Sequence, residues 1–144
     1  MPVILDETHL TVSGNGTHEC VPFLALKETI LGKRYQLSIA FVSARVAQSL
    51  NIAHRGKDYV PNTLSFSLTP TSGEIILCTS AMRKQYRLSE YSYDDYVIYI
   101  IIHSMLHLKG MQHGSTMERK EAQLLSRFAS PQSNPNETTR HRRH

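Results

Sequence analysis

The sequence has 144 residues, 40% hydrophobic and 19% charged, which suits one folded domain with a substantial core and excludes a collagen-like or generally disordered chain. Its formal net charge is +4, and residues 129–144 supply +2 of this charge, because three arginines there are set against one glutamate. The remaining +2 on residues 1–128 is by itself weak evidence for nucleic-acid binding.

The first half of the chain predicts an alternation of strands and helices. In chain order these are a strand at 2–7, a helix at 21–31, a half-buried strand at 35–42 and a helix from 44 to about 50. Gly32 stands at the usual position after the end of the first helix, and Ser43 is a typical N-cap for the second. Residues 13–16 are rich in turn formers, and residues 51–61 predict a polar loop.

The second half of the chain predicts a hairpin followed by helices. In chain order these are strands at 63–68 and 74–79, a short helix around 80–86, the longest helix from 89 to about 109, and a last helix opening at 115–118. The middle of the longest helix, VIYIII, is apolar on all sides, which predicts that it lies inside the fold. Ser115 and Glu118 have the spacing of a capping box at the start of the last helix.

Strands with helices before, between and after them indicate a single α+β domain. We predict a small mixed sheet of about four strands packed with about five helices over residues 1–129. Residues 130–144 have no aliphatic or aromatic side chain apart from those of proline and histidine, so this segment is predicted to be a disordered basic tail.

The cysteines and the apolar segments bear on the cellular compartment. Cys20 and Cys78 lie outside any C-x-x-C spacing, so neither a disulfide framework nor a cysteine zinc site is indicated. The first residues lack the basic and apolar regions of a secretory signal, and the longest apolar stretch, 96–102, is too short to span a bilayer. The sequence therefore predicts a cytoplasmic protein with no membrane partner.

Three histidines in the segment HSMLHLKGMQH have the spacing of a catalytic zinc site. His103 and His107 are four residues apart, so they lie on the same face of the predicted helix. Gly110 can end that helix in a left-handed conformation, which lets His113 approach from a third direction. We predict that the three imidazoles bind one zinc ion and leave its fourth position open. The alternative, a set of core histidines, does not explain two imidazoles in the most apolar region of the chain.

Ser104 bears on the class of reaction. The pattern H-x-x-x-H-x-x-G-x-x-H equals the metzincin peptidase signature, except that Ser104 stands where the catalytic glutamate belongs. A serine hydroxyl cannot replace that carboxylate as a base at neutral pH, so peptide hydrolysis is disfavoured. Phosphodiester cleavage is open, because zinc and a guanidinium can stabilise the added negative charge. Arg55 is a candidate for that guanidinium, and a solvated surface arginine is the alternative.

The sequence resembles the YbeY family, bacterial rRNA maturation factors described as metal-dependent, single-strand-specific endoribonucleases. The family motif H-G-x-L-H-L-x-G-Y-D-H is similar to HSMLHLKGMQH, and an upstream pattern containing LN, YR and TDVLSF is similar to SARVAQSLNIAHRGKDYVPNTLSFSL. The tripeptide GEI at 73–75 is similar to a Gly-Asp-Ile of the family. The resemblance covers roughly residues 35–128. Departures from the family pattern include Asn62, Glu74, Ser104 and Gln112.

The resemblance implies a site, an activity and a fold. His103, His107 and His113 match the family's metal ligands, and Arg55 matches an arginine thought to contact RNA phosphate. The implied activity is zinc-dependent cleavage of single-stranded RNA in rRNA maturation and ribosome quality control. The implied partners are rRNA and the small ribosomal subunit or its associated proteins, with no DNA substrate. The implied fold is a small sheet packed with helices, similar to the core of zinc-dependent proteases.

Two other functions remain open. A metzincin-type zinc peptidase would share the three ligands, and the serine at position 104 argues against it. A non-catalytic, ribosome-associated module that holds zinc for structure fits the loss of acidic residues at 62 and 112, although three protein ligands favour an open catalytic site. Glu74 is a carboxylate near the predicted site, but a structural role at the strand end is the simpler interpretation. The sequence therefore assigns no general base, and attack by water or by the RNA 2′-OH is equally compatible with it.

Overall fold

The computed structural model describes residues 9–14 and 18–129. In these ranges a four-stranded mixed sheet is covered by five α-helices, which confirms the predicted α+β class. The strand predicted at 2–7 and the tail predicted at 130–144 lie outside the described residues.

The sheet combines parallel and antiparallel pairing. Its strands are β1 (Leu10–Gly14), β2 (Gln36–Val42), β3 (Thr63–Thr69) and β4 (Ser72–Cys78), in the spatial order β1-β2-β4-β3. β1 pairs with β2 and β2 with β4 in parallel, whereas β3 and β4 form the predicted antiparallel hairpin. Alternation sets the inner face, since Leu37, Ile39 and Phe41 are buried and the residues between them are only partly covered.

The helices surround one long central helix. They are α1 (Phe23–Ile30), α2 (Ala44–Arg55), α3 (Thr79–Gln85), α4 (Tyr93–Leu108) and α5 (Ser115–Phe128), with a short 3-10 turn at Tyr86–Leu88. The central helix α4 contacts α1, α5, β3 and β4. Ile101, Ile102 and Met105 of α4 are fully buried, as its apolar sequence predicted.

Gly73 lets the end of α4 lie directly on the sheet. A Cβ atom at this position of β4 would stand 2.5 Å from the Tyr35 hydroxyl and 3.0 Å from a methyl group of Leu108. The first distance is shorter than any van der Waals contact, so a side chain here would displace one of these neighbours. Gly73 therefore helps to position the last turn of α4.

The turn predicted at 13–16 is wrong at its first two residues. Ser13 and Gly14 end β1 and pair with Ala40 and Phe41 of β2. A Cβ atom on Gly14 would lie 2.2 Å from the Phe41 carbonyl oxygen. A glycine is required here because the two strands approach so closely. The sequence did not predict this strand end, because the residues of the segment also favour a turn.

The polar loop predicted at 51–61 is wrong at its start, because α2 continues to Arg55. Asn51 is fully buried, and its side-chain amide donates to the Tyr59 carbonyl at 3.1 Å. Gly56 then ends the helix with a left-handed φ of 67°. Ser43 caps the other end as predicted, accepting from the Val46 backbone N–H. The residues after Asn51 are all exposed, so this end of the helix has no apolar stripe, and a search for apolar spacing misses it.

Two predicted helix starts also differ from the structure. α4 begins at Tyr93 rather than at Ser89, because the Ser92 hydroxyl caps it by accepting from the Asp95 N–H. Ser89 instead closes a turn through the Tyr86 carbonyl. The capping box predicted at Ser115 is absent, since the residue before α5 is Gly114 and no side chain caps this helix in the described chain.

Candidate metal centre

The last two turns of α4 bring two imidazoles together. His103 and His107 lie one above the other on the same face, with their ring centroids 4.5 Å apart. Their Nε2 atoms are 3.1 Å apart. The predicted pairing of these histidines is therefore present in the fold.

A glycine turn returns the chain to the same place. The Gly110 N–H donates to the His107 carbonyl and the Met111 N–H donates to the Leu106 carbonyl, which together form a Schellman motif. Gly110 has the left-handed φ that this motif needs, 103°. The ring of His113 then lies 5.1 Å from that of His103 and 4.7 Å from that of His107. The three side chains offer ligand atoms that all lie within 4.8 Å of one another.

Hydrogen bonds fix which nitrogen each helical histidine presents. The Nδ1–H of His107 donates to the Met111 carbonyl at 3.0 Å, because a carbonyl can only accept. The Nδ1 of His103 lies 2.5 Å from the Glu121 carboxylate and donates to it. Both Nδ1 protons are thus used in hydrogen bonds, so the Nε2 lone pairs of His103 and His107 face each other.

This donor set fits a bound transition metal. Two nitrogens bound to one tetrahedral zinc ion at about 2.0 Å stand about 3.3 Å apart, close to the separation of the two Nε2 atoms. Two facing lone pairs repel each other unless a cation lies between them. Imidazole ligands also suit several other divalent metals, so the geometry supports a metal site without selecting zinc.

The environment of His107 favours the neutral form that a metal ligand requires. Burial lowers the pKa of His107, and the neighbouring His103 lowers it further. The hydrogen bond to Met111 acts in the opposite direction. A neutral imidazole keeps its Nε2 lone pair available for coordination.

Ser104 points away from the imidazoles and into the core. Its hydroxyl is fully buried and donates to the Ile100 carbonyl at 2.8 Å. The Thr63 hydroxyl of β3 lies 2.8 Å from the same oxygen. The serine at the metzincin glutamate position therefore joins α4 to β3, and its hydrogen-bonding capacity is used in doing so.

Arg55 is an exposed residue in the last turn of α2, and not in a loop as predicted. Across residues 9–14 and 18–129, no hydrogen bond or ion pair joins its guanidinium to the three histidines. The neighbouring His54 ring lies 4.7 Å from the Phe66 ring of β3, the strand that also contacts α4. A role for Arg55 stays a prediction.

Glu121 is the residue of this site that the sequence did not predict. It lies on the buried face of α5 with Met117, Leu124 and Leu125. A carboxylate is expensive to bury unless it is paired, and here the imidazole of His103 pairs with it. An acidic side chain within an otherwise apolar helix face is the signal that could have identified it.

Other positions singled out in the sequence lie elsewhere. Asn62 donates to the Gln85 side-chain oxygen at 2.9 Å and thereby tethers the start of β3 to α3. Glu74 lines a separate pocket with His9 and Gln36 that contains none of the three predicted ligands. Cys20 is exposed, Cys78 is buried, and both are free thiols. Within the described chain, no helix is long and apolar enough to cross a membrane.

The fold and the cluster define a class of protein, an α+β domain whose central helix and the turn after it bring three imidazoles to one candidate metal site. A sequence profile of the family described as Endoribonuclease YbeY matches residues 12–129. The chain belongs to this family.

Individual relatives agree with this assignment. The chain is 33% identical over 96 residues to an Endoribonuclease YbeY of Janthinobacterium sp. (strain Marseille). This matched segment covers 62% of this chain and 63% of the relative. It is 32% identical over 106 residues to an Endoribonuclease YbeY of Thiobacillus denitrificans, with 67% and 72% covered. The matched segment thus spans somewhat less than two thirds of the first relative.

A solved structure has a similar fold. The solution structure of TM1509 from Thermotoga maritima superimposes with a TM-score of 0.61 and covers 88% of this chain and 97% of that protein. The two sequences are 23% identical, so this likeness concerns the fold alone.

Proposed function

We propose that the protein is a zinc-dependent endoribonuclease that cleaves single-stranded RNA in the cytoplasm, in rRNA maturation and ribosome quality control. The observation that carries the proposal is the convergence of His103, His107 and His113, with two Nδ1 protons held so that the Nε2 atoms face one another. Membership of a family described as endoribonucleases supplies the reaction class.

Each residue of the site has a distinct part in this proposal. The three histidines would hold the ion, which supplies Lewis-acid stabilisation of negative charge on the phosphodiester. Glu121 and the Met111 carbonyl orient the first two imidazoles. Arg55 would bind the phosphate and offset the charge that develops on it, for which a planar guanidinium is well suited.

The proposed partners follow from the same chemistry. Single-stranded rRNA is the substrate, the small ribosomal subunit or its associated proteins present it, and DNA is not cleaved. A single-stranded substrate exposes its bases and its 2′-hydroxyl groups to the protein.

The observations weigh differently on the two alternatives. A metzincin-type peptidase needs a carboxylate at position 104, where the structure has a buried serine bonded to Ile100 and Thr63. A non-catalytic ribosome-associated zinc module would have the same three ligands without turnover. Absence of cleavage by the zinc-loaded protein would favour this module.

The test compares two substrates. Zinc-loaded protein is expected to cleave a fluorogenic single-stranded RNA, to lose this activity on chelation, and to leave casein intact. Chelator-sensitive hydrolysis of casein would reverse the ranking of the nuclease and the peptidase.

Variants of α2 extend this assay to the phosphate. Arg55→Ala is expected to slow RNA cleavage by about 100-fold with zinc content and melting temperature retained, and Arg55→Lys to recover part of the loss. Arg45→Ala, an exposed arginine at the start of the same helix, serves as the matched control. Equal rates for Arg55→Ala and Arg45→Ala would remove Arg55 from the site.

A further inference from the structure

A pocket of about 560 Å³ adjoins the candidate metal centre. It lies between α4, α5 and the segment that joins α3 to α4, and its lining includes Tyr91, Tyr96, Tyr99, Leu88 and Glu121. Glu121 belongs to both sites, because its carboxylate accepts the hydrogen bond from His103. The pocket and the candidate metal centre therefore share one residue.

Aromatic rings form a row from the pocket to the histidines. The rings of Tyr91 and Tyr99 are 5.8 Å apart and tilted by 34°. The rings of Tyr99 and His103 are 6.3 Å apart and tilted by 37°. Leu88 lies at the rim with 89% of its surface exposed, so the fold does not bury this side chain. Such aromatic and aliphatic walls suit a flat heterocycle.

Two hydrogen bonds orient the side-chain amide of Gln85, which lines the pocket. The Gln85 side-chain oxygen accepts from the Asn62 amide at 2.9 Å and from the Tyr96 hydroxyl at 3.0 Å. These two bonds fix the orientation of the Gln85 amide. In the described chain its Nε2 group makes no hydrogen bond, which leaves two N–H donors for a ligand.

The charges of the pocket select against a phosphate. Its charged lining residues are Glu118 and Glu121, and both are acidic. An uncharged ring that stacks and accepts hydrogen bonds fits these walls better than an anion.

We propose that this pocket binds one unpaired nucleobase of the RNA strand whose phosphate lies at the metal centre. The inference rests on the proposed function. The base stacks against the tyrosine rings and Leu88, and the Gln85 amide donates to an acceptor on its edge. A base inside a duplex would have to leave its stack to enter, so the pocket also gives a physical reason for preferring single strands.

The test combines a change in the RNA with a change in the pocket. A short fluorescein-labelled single-stranded RNA is made abasic at one position at a time around the cleaved bond. For wild-type protein, kcat/KM is expected to fall by about 5-fold to 100-fold when one flanking position is abasic. The double variant Leu88→Ala, Tyr91→Ala is expected to lose a similar factor on intact RNA and nothing further on that abasic RNA.

A matched variant separates the pocket from general effects. Val46 and Tyr59 are exposed, as Leu88 is, and lie outside the pocket, so Val46→Ala, Tyr59→Ala should keep the wild-type dependence on the abasic position. Losses that multiply in the Leu88, Tyr91 variant would overturn the inference, as would a wild-type protein with no sensitive position.

Fluorescence anisotropy of the same RNAs distinguishes this inference from the proposed function. Position-specific loss of binding without cleavage by any protein would support the pocket and refute the nuclease. Cleavage without a sensitive position would do the reverse. Neither binding nor cleavage would refute both.

Discussion

At the scale of single residues, two hydrogen-bond acceptors determine which nitrogens the candidate metal centre presents. The Met111 carbonyl follows from local geometry, because the glycine turn after α4 places it beside His107. Glu121 is 18 positions from His103 and on a different helix. The sequence therefore predicted the cluster of three histidines, whose spacing is local, but not the carboxylate, whose position depends on how α5 lies against α4.

The carboxylate of Glu121 is expected to strengthen metal binding. Glu121→Gln keeps the size of the side chain but removes the charge that holds His103, so zinc affinity should fall by about 10-fold to 100-fold. Competition against a chromophoric chelator measures this affinity. Glu118→Gln, an exposed position on the same helix, should leave it unchanged. Equal affinities for the two variants would show that Glu121 does not support the ligand.

His18 is expected to make stability depend on pH. Its ring stacks on Phe41 at 4.1 Å, and its Nε2 lies 3.2 Å from the Tyr93 hydroxyl. Burial, and next the positive charge of Arg83, lowers the pKa of His18, with Asp94 acting in the opposite direction. His18 therefore binds a proton more readily in the unfolded chain than in the folded chain. Because of this difference, the free energy of unfolding should fall as the pH drops below about 6.5. Above that pH His18 contributes nothing to the slope.

Urea unfolding at pH 7.5 and 5.5 tests this expectation. His18→Phe keeps a ring against Phe41 and removes the titrating group. The variant should lose less unfolding free energy between the two pH values than the wild type loses. All other ionisable groups are the same in both proteins, so the difference between them isolates His18. Identical losses would contradict the assignment.

At the scale of elements, the turn that ends α4 determines the geometry of the candidate metal centre. Gly32 and Gly110 both follow helices with left-handed φ values, 99° and 103°, and a Cβ atom at either position would meet no other atom of the described chain within 4 Å.

Replacing either glycine with alanine should lower the free energy of unfolding by about 1–2 kcal/mol, because the backbone conformation itself is strained for a residue with a side chain. Gly110→Ala should also weaken zinc binding by about 10-fold, because it disturbs the Met111 carbonyl. A loss of zinc affinity in Gly32→Ala as well would mean that the effect is general destabilisation.

Helix boundaries were predicted only in part. α2 runs on through exposed residues to Arg55, and Gly56 ends it. α4 starts at Tyr93, four residues after the predicted start at Ser89, since Ser92 caps it. In each case the segment contains several residues that could bound the helix, so the sequence alone did not show which one does.

At the scale of the whole molecule, the order of the strands was beyond the sequence. The hairpin of β3 and β4 follows from a short turn between alternating segments. The parallel pairing of β1, β2 and β4 depends on helices that cross between them, and no local pattern reports their spatial order. The fold nevertheless places the buried helix α4 against both the sheet and α5, where its last turns and the following glycine assemble the three histidines.

The most direct test of a catalytic zinc site is a zinc titration of metal-free protein that follows bound metal and cleavage of single-stranded RNA together. Both are expected to rise in parallel and to reach a plateau at one zinc ion per chain, because three imidazoles converge on a single point. His107→Ala should bind no zinc at these concentrations and should not cleave the RNA. Cleavage by the metal-free protein, or unchanged zinc content in His107→Ala, would contradict the account.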